Sequence, residues 1–382
     1  MSMNVLHATD FHNQTNTGIT FAVNELVSQT LPELGPLGSV SLVSVGKTDV
    51  IALEGVKYFT ADLSKGPGSI WRYAPRYAAI CEEISRRQDI GIVHVHGAWM
   101  HPQLAAVCTA HRLGIPTVLT NHGLVQWAVR QPDRIGALKK RLYLALMRRR
   151  LFEKVTVHHA ITPFDRDSIH SFFPDGRIEV IPNFIDLRKV DCELQKSERV
   201  NCEPYVLFIG RLHPTKGIDI LIEAFGRADL PRDWRLVIVG PTGDRSYTAR
   251  LRQMIAANPR SNRIELREPV WDIAAKYALM RNAWVTAVPS HTEVISLVNL
   301  ESSACATPTI TTWATGLSDW VEGGGLLVEP AVQSLATALS ACSRWSDKER
   351  FQRGAASRRL IEERYSAATI VPRWMDLYRS LT

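Results

Sequence analysis

The chain has 382 residues, of which 45% are hydrophobic and 22% charged. At roughly 150 residues per domain this is a two- or three-domain length, and the composition excludes a largely disordered, collagen-like or low-complexity chain. Lys and Arg number 45 against 38 Asp and Glu, a formal charge of +7 that signals an anionic partner only if it is concentrated on one face.

In the first half, β-rich runs occur at 4-NVLHA-8, 40-VSLVSV-45, 56-VKYFTA-61, 92-IVHVHG-97, 117-TVLTNH-122 and 178-IEVIPN-183. Helical patterns between them include 71–87, 103–114 and a basic stretch over 138–154. The alternation restarts at 205-YVLFIG-210. It continues through 235-RLVIVG-240, 263-RIELREPV-270, 284-WVTAVP-289, 308-PTITTW-313 and 326-LLVEP-330, with helices over 218–228, 246–257 and 272–283. Strand–helix alternation predicts parallel sheets covered on both faces. Two successive sets predict an α/β chain of two doubly wound, Rossmann-like domains facing a central cleft. Expected boundaries are 1–185 for the first domain, 186–203 for a polar linker, 204–365 for the second, and 366–382 for a C-terminal helix. The stretch 346–381 is expected to be helical, kinked or divided at Pro372. The apolar runs are far shorter than the ~20 residues of a membrane-spanning helix. The N-terminal MSMNVLHATDFHNQ lacks a secretory pattern, and six cysteines without a C-x-x-C pair suit reduced thiols. Both features favour the cytoplasm.

Ligands of such folds bind beyond the strand C-termini, so the loops there hold the candidates. The loop after the first strand has one glycine, Gly18, and no G-x-G-x-x-G or Walker pattern, which weakens a dehydrogenase or P-loop reading. His122 ends a strand beside Gly123 and could hydrogen-bond a ligand hydroxyl. His94 and His96 form an H-x-H pair, but no further ligand falls at a supporting spacing, so no metal site is assigned. Lys139, Lys140, Arg141, Arg148, Arg149 and Arg150 flank apolar residues in 138–154. That pattern suits an anionic membrane surface, and equally an ordinary helix packed on its own domain. No nucleic-acid reader motif is present.

In the second half, Arg211 and Lys216 bracket a short loop between a strand end at Gly210 and a helix opening at Gly217. Two cations and free helix-start amides suit a diphosphate, although basic loops are also common without one. Glu293 and Glu301 are eight residues apart after another strand end. Carboxylates there could accept from sugar or ribose hydroxyls, or serve only as a helix cap and a surface charge.

The ordered set FIGRLHPTKGIDILIEAF, PSHTEVISLVNLE with its E-x7-E spacing, and TPTITTWATGLSDWVEGGGLLVEP resembles the retaining GT-B glycosyltransferases of family four, also called glycosyl transferases group 1. In the first half, IVHVHGAWMHPQLAAVCTAHRLGIPTVLTNHG is similar to members acting on bacterial surface polysaccharide and lipopolysaccharide. The resemblance implies a nucleotide-diphosphate sugar as co-substrate, a UDP- or GDP-sugar, with no cofactor and no metal. It implies that Arg211 and Lys216 neutralise the diphosphate, Glu301 binds ribose, Glu293 contacts the transferred sugar, and His122 hydrogen-bonds that sugar. Gly18, Ser296, Leu297 and Val298 complete the implied donor site. The implied acceptor is a glycan or lipid-linked saccharide, placing the enzyme in the cytoplasm or peripherally on the inner face of the plasma membrane. The C-terminal helix is implied to return to the first domain, giving Trp374 and Tyr378 a packing role. Two positions depart from the family pattern. Asn16-Thr17-Gly18 replaces a Gly-Gly pair, and Ile295-Ser296 replaces an aromatic and a Gly. The rival expectations are a GT-B-fold binding protein without catalysis and a nucleotide-sugar epimerase or hydrolase.

Overall fold

The computed structural model describes residues 3–12, 17–46, 52–123, 134–196 and 203–382. The chain divides into two compact units, Met1–Asn183 with Ile370–Thr382, and Phe184–Thr369.

The first unit is built from β1 (Asn4–Ala8), α1 (Thr17–Thr30), β2 (Ser39–Val45), β3 (Val56–Ala61), α2 (Tyr77–Arg87), β4 (Ile92–His96), α3 (His101–Leu113), β5 (Thr117–Thr120), α4 (Arg134–Met147), β6 (Val157–Ala160), α5 (Pro163–Phe172) and β7 (Ile178–Val180). Its seven strands run in the order β3-β2-β1-β4-β5-β6-β7, every pair parallel. Leu6, Val43, Val93, Val95 and Leu119 fill its core. Each such side chain contributes about 1.5–3 kcal/mol through burial.

The second unit holds α6 (Leu187–Gln195), β8 (Tyr205–Ile209), α7 (Ile218–Arg227), β9 (Arg235–Val239), α8 (Arg245–Ala257), β10 (Ile264–Arg267), α9 (Ile273–Asn282) and β11 (Val285–Val288). It continues with α10 (Leu297–Ala304), β12 (Thr309–Thr312), β13 (Leu326–Val328), α11 (Val332–Cys342) and α12 (Asp347–Leu360). The six-stranded order is β10-β9-β8-β11-β12-β13, again all parallel. Helix α13 (Ala367–Arg379) carries the chain from the second unit into the first. In each sheet the order reverses at one place, between β1 and β4 and between β8 and β11. In open α/β sheets ligands bind at such a place, outside the carboxyl ends of the strands.

Four expectations change. Residues 186–203, expected as a linker, contain the helix Leu187–Gln195, capped by Asp186 and anchored by buried Val190; 197–202 lie outside the described residues. The helix expected from 71 begins at Tyr77, just after Pro75, whose ring disfavours helical backbone at Ala74. The basic helix expected to run to 154 ends at Met147. A turn over Arg148–Arg150 then delivers Leu151 and Phe152 to the core, where Phe152 stacks on Phe173 at 4.3 Å. The C-terminal helix runs through Pro372; the division lies at Ile361–Ser366, where Ile185 bridges to Ser366.

Candidate functional site

In the second unit, glycine decides how closely the strand ends approach. Gly240 has φ 157°, and a Cβ there would lie 1.9 Å from the carbonyl oxygen of Gly210. Gly217 is left-handed with φ 65°, and a Cβ there would lie 2.2 Å from the carbonyl oxygen of Pro289. The loop after β8 therefore lies directly against the loop after β11. His291 N–H donates to Thr215 O at 2.9 Å, and Glu293 N–H donates to Ala314 O at 2.8 Å.

This contact joins two residues 77 positions apart: Lys216 Nζ donates to Glu293 Oε1 at 2.8 Å. The side chains are 26% and 11% exposed, so the pair is largely buried yet still reaches solvent. Ser290 Oγ donates to the same carboxylate oxygen. The two residues thus share one locus, where each is held in place by the other. Arg211 is exposed beyond the end of β8. Its aliphatic stem lies so close to Gly243 that a Cβ there would stand 2.4 Å from Arg211 Cγ.

Three residues after Glu293, Ser296 is buried with extended backbone (φ −86°, ψ 110°) and makes no side-chain cap. The first-turn amides of α10, at Leu297 and Val298, have no partner within the helix and carry its partial positive charge. Glu301, one turn further on, is buried, and its carboxylate accepts from Lys276 Nζ of α9. Sequence reasoning missed Lys276. It lies 25 residues before Glu301 in a helix with no distinguishing pattern.

The candidates His122 and Gly18 belong to the first unit. Gly18 is exposed in the first turn of α1 with open space around it, and neighbouring Asn16 is outside the described residues. His122 follows β5 with left-handed backbone, φ 52°. Its Nε2 is 3.3 Å from His96 Nδ1, and His96 Nε2 is 2.9 Å from His7 Nδ1. His7 was not legible as a candidate. It enters because β1 pairs with β4 in the register that sets His7 beside His94.

A second chain runs alongside. His94 lies 2.7 Å from Tyr378 Oη through Nδ1 and 2.7 Å from Thr120 Oγ1 through Nε2. Thr120 Oγ1 lies 2.8 Å from His159 Nδ1, whose Nε2 reaches Ile181 O at 2.7 Å. Desolvation lowers every ring in both chains: His122 to about 4, His7 and His159 to about 3, and His94 and His96 well below the ordinary value. All are neutral near pH 7.

One nitrogen from each of His7, His94 and His96 lies within 4.8 Å of the others, a spacing compatible with a metal ion. Two features oppose that use. His94 has hydrogen-bond partners on both nitrogens. It also stacks on His96 at 4.2 Å and 28°, whereas a metal needs in-plane lone pairs converging on one point.

Of the basic candidates, Lys139 and Arg141 are exposed on α4, Lys140 is half-buried, and Arg148, Arg149 and Arg150 are exposed in the turn after it. Arg148 pairs with Glu153 at 2.9 Å. Leu138, Leu142 and Leu146, one turn apart, are 68%, 59% and 61% exposed, whereas Leu144 is buried.

Comparison with known proteins gives both halves a match. Residues 38–189 match the Glycosyltransferase Family 4 model, and residues 191–357 match Glycosyl transferases group 1. A D-inositol 3-phosphate glycosyltransferase of Acidothermus cellulolyticus is 39% identical over 132 residues, covering 32% of this chain and 30% of that protein. The chain thus spans less than a third of that relative's length. The Frankia alni protein of the same name is 29% identical over 333 residues, covering 79% and 75%. The alpha-maltose-1-phosphate synthase of Mycolicibacterium smegmatis is 27% identical over 326 residues, covering 78% and 81%. Among solved structures, Anabaena Alr3699/HepE in complex with UDP and glucose superposes with a TM-score of 0.76 at 18% identity, over 99% of this chain and 100% of that one. Sucrose-phosphate synthase from Thermosynechococcus elongatus also reaches 0.76, at 20% identity over 100% and 99%. These likenesses establish the GT-B fold.

Proposed function

We propose that the chain, matched in each half by a glycosyltransferase family model and carrying the GT-B fold, is a glycosyltransferase that moves a sugar from a nucleotide-diphosphate donor to a glycan or lipid-linked acceptor. The observation that carries this is the β8/β11 crevice of the second unit. It sets Lys216 on Glu293 and follows them with the uncapped N-terminus of α10. Arg211, Lys216 and the amides of Ser296, Leu297 and Val298 stabilise the diphosphate and the negative charge it gains as the sugar–phosphate bond breaks. Glu301, steadied by Lys276, accepts from ribose hydroxyls. Glu293 accepts from the transferred sugar, and His122 hydrogen-bonds it. Gly18, exposed in the first turn of α1, is the first-unit position that the family resemblance assigns to donor binding. The Anabaena protein's complex with UDP and glucose favours a UDP-sugar over a GDP-sugar.

The reaction retains anomeric configuration without a metal, the leaving phosphate assisting deprotonation of the acceptor. Product NMR showing inversion, or loss of turnover in EDTA, would refute those two points. A covalent sugar on Glu293 with donor alone would refute front-face attack.

The acceptor belongs to bacterial surface polysaccharide or lipopolysaccharide synthesis, met at an anionic membrane on the cytoplasmic side. Support comes from the exposed Leu138, Leu142 and Leu146 stripe beside Lys139, Arg141 and Arg148–Arg150. Changing the three arginines to Glu is expected to release the protein from anionic vesicles in flotation; unchanged flotation refutes the membrane role. A small phosphorylated acceptor is the second reading, favoured by the relatives named D-inositol 3-phosphate glycosyltransferase. An acceptor panel separates the two.

The donor reading is tested by thermal shift with UDP, GDP, ADP, TDP and CMP on wild type, Lys216→Ala and Glu301→Ala. UDP stabilising wild type and neither variant is the expected result. Stabilisation by none of the five favours a GT-B-fold binding protein without catalysis. Turnover of donor with no acceptor favours an epimerase or hydrolase.

A further inference from the structure

The two imidazole chains of the first unit differ in how their direction is determined. In the chain ending at Ile181, the carbonyl can only accept, so His159 Nε2 carries the proton. The neutral ring then accepts at Nδ1 from Thr120 Oγ1–H, and that oxygen accepts from His94 Nε2–H. His94 Nδ1 in turn accepts from Tyr378 O–H. One carbonyl sets the tautomer of every ring behind it.

The chain His7–His96–His122 has no such carbonyl. Its inner end, His7 Nε2, is buried without a hydrogen-bond partner among the described residues. Two proton patterns satisfy the two ring–ring bonds. In one, His122 Nε2–H donates inward, His96 Nε2–H donates to His7 Nδ1, and His7 must bury an unsatisfied N–H. In the other, His7 Nδ1–H donates to His96 Nε2, His96 Nδ1–H donates to His122 Nε2, and only a lone pair is left bare at His7. Orphaned buried N–H donors are rarer in proteins than under-satisfied acceptors. The second pattern is therefore favoured, and it leaves His122 with its proton on Nδ1.

We propose that His96 and His7 are positioning residues that preset His122 as an Nδ1–H donor, so that it gives a hydrogen bond to an oxygen of its ligand. The His7 and His96 rings are nearly coplanar, 9° apart with centroids at 5.2 Å, so each nitrogen lone pair or N–H points straight at the other ring. The left-handed backbone at His122 supplies the turn that follows β5. The inference deepens the proposed function, on which it rests for the identity of the ligand oxygen as one of the transferred sugar.

The test uses the full chain labelled with 15N-histidine. Long-range 1H–15N spectra at pH 7 are expected to show His122, His96 and His7 all protonated at Nδ1 and bare at Nε2, with N–N couplings across both ring–ring bonds. A His122 ring protonated at Nε2 overturns the proposal. His7→Leu removes the inner donor. It is expected to return His122 to a mixture of tautomers and to lower kcat/KM by about tenfold, as for loss of one hydrogen bond. His7→Asn, whose amide can stand in for Nδ1–H, is expected to restore the tautomer and most of the rate. A folded His7→Leu protein with the wild-type His122 spectrum overturns the proposal, and if that variant does not fold the wild-type spectrum decides alone. His122→Ala separates the two inferences. Unchanged turnover, with the preset tautomer present in wild type, refutes the role of His122 in transfer and leaves the positioning intact.

Discussion

The crevices of the two units arise from the same topological event and differ in electrostatics, one built of neutral groups and the other of charged ones. Where β1 meets β4, the strand ends carry buried, neutral imidazoles whose hydrogen bonds run ring to ring. Where β8 meets β11, they carry glycines, an ion pair and an uncapped helix start. A neutral network of fixed donors and acceptors suits hydroxyl-rich ligands. A crevice of cations and free amides suits a diphosphate. Topology supplied a place twice, and side chains gave each place its chemistry.

Acid is expected to break this symmetry most strongly. His7, His122, His158 and His159 have folded-state values of about 3, 4, 4 and 3, all below the unfolded value of 6.5. Well above pH 6.5 the folded and unfolded states hold the same protons on these rings. As pH falls below 6.5, the unfolded state takes up protons that the folded state refuses, and stability is lost. Between pH 6.5 and 5.5 the four rings together cost about 4 kcal/mol. Protection factors from hydrogen exchange followed by mass spectrometry are expected to fall in β1, β4, β5 and β6 over that interval, and to change little in β8, β9 and β11. An equal fall in both units would defeat the comparison.

Gly240→Val attacks the other side. The added Cβ meets the Gly210 carbonyl, and the backbone must leave φ 157°. A loss of about 2–4 kcal/mol confined to the second unit is expected in thermal denaturation. An unchanged melting temperature would mean that the two strand ends need not touch.

The smallest expected effect sharpens the contrast. Raising salt from low to about 0.5 M is expected to weaken UDP binding several-fold by calorimetry, through screening of the Lys216 and Arg211 site. The His122 ring spectrum should not move. A salt-insensitive affinity would argue that amides rather than cations dominate diphosphate binding.

The fold was legible because buried parallel strands are short, continuous apolar runs, and nearly every expected strand appears within a few residues of its place. The helix Leu187–Gln195 was not legible, since its single buried anchor, Val190, stands in an otherwise polar sequence. The Arg148–Arg150 turn was missed because three cations in a row look the same on a helix or off it. At the candidate site, residue types on strand-end loops could be picked out from spacing, but partnerships could not. Lys216 with Glu293, Lys276 with Glu301, and His7 with His96 are each set by strand order or helix packing. No local pattern encodes those.

The bond between His94 and Tyr378 spans 284 positions. On a ribosome adding about 5–20 residues per second, the first unit waits roughly 15–60 seconds between the emergence of one partner and the other. Until then its β4 carries an imidazole nitrogen with no phenol to meet it, and the pocket for Trp374 is unfilled. The half of the molecule translated first is thus completed last. A nascent chain stalled before residue 370 presents an open seam, on which a chaperone could act.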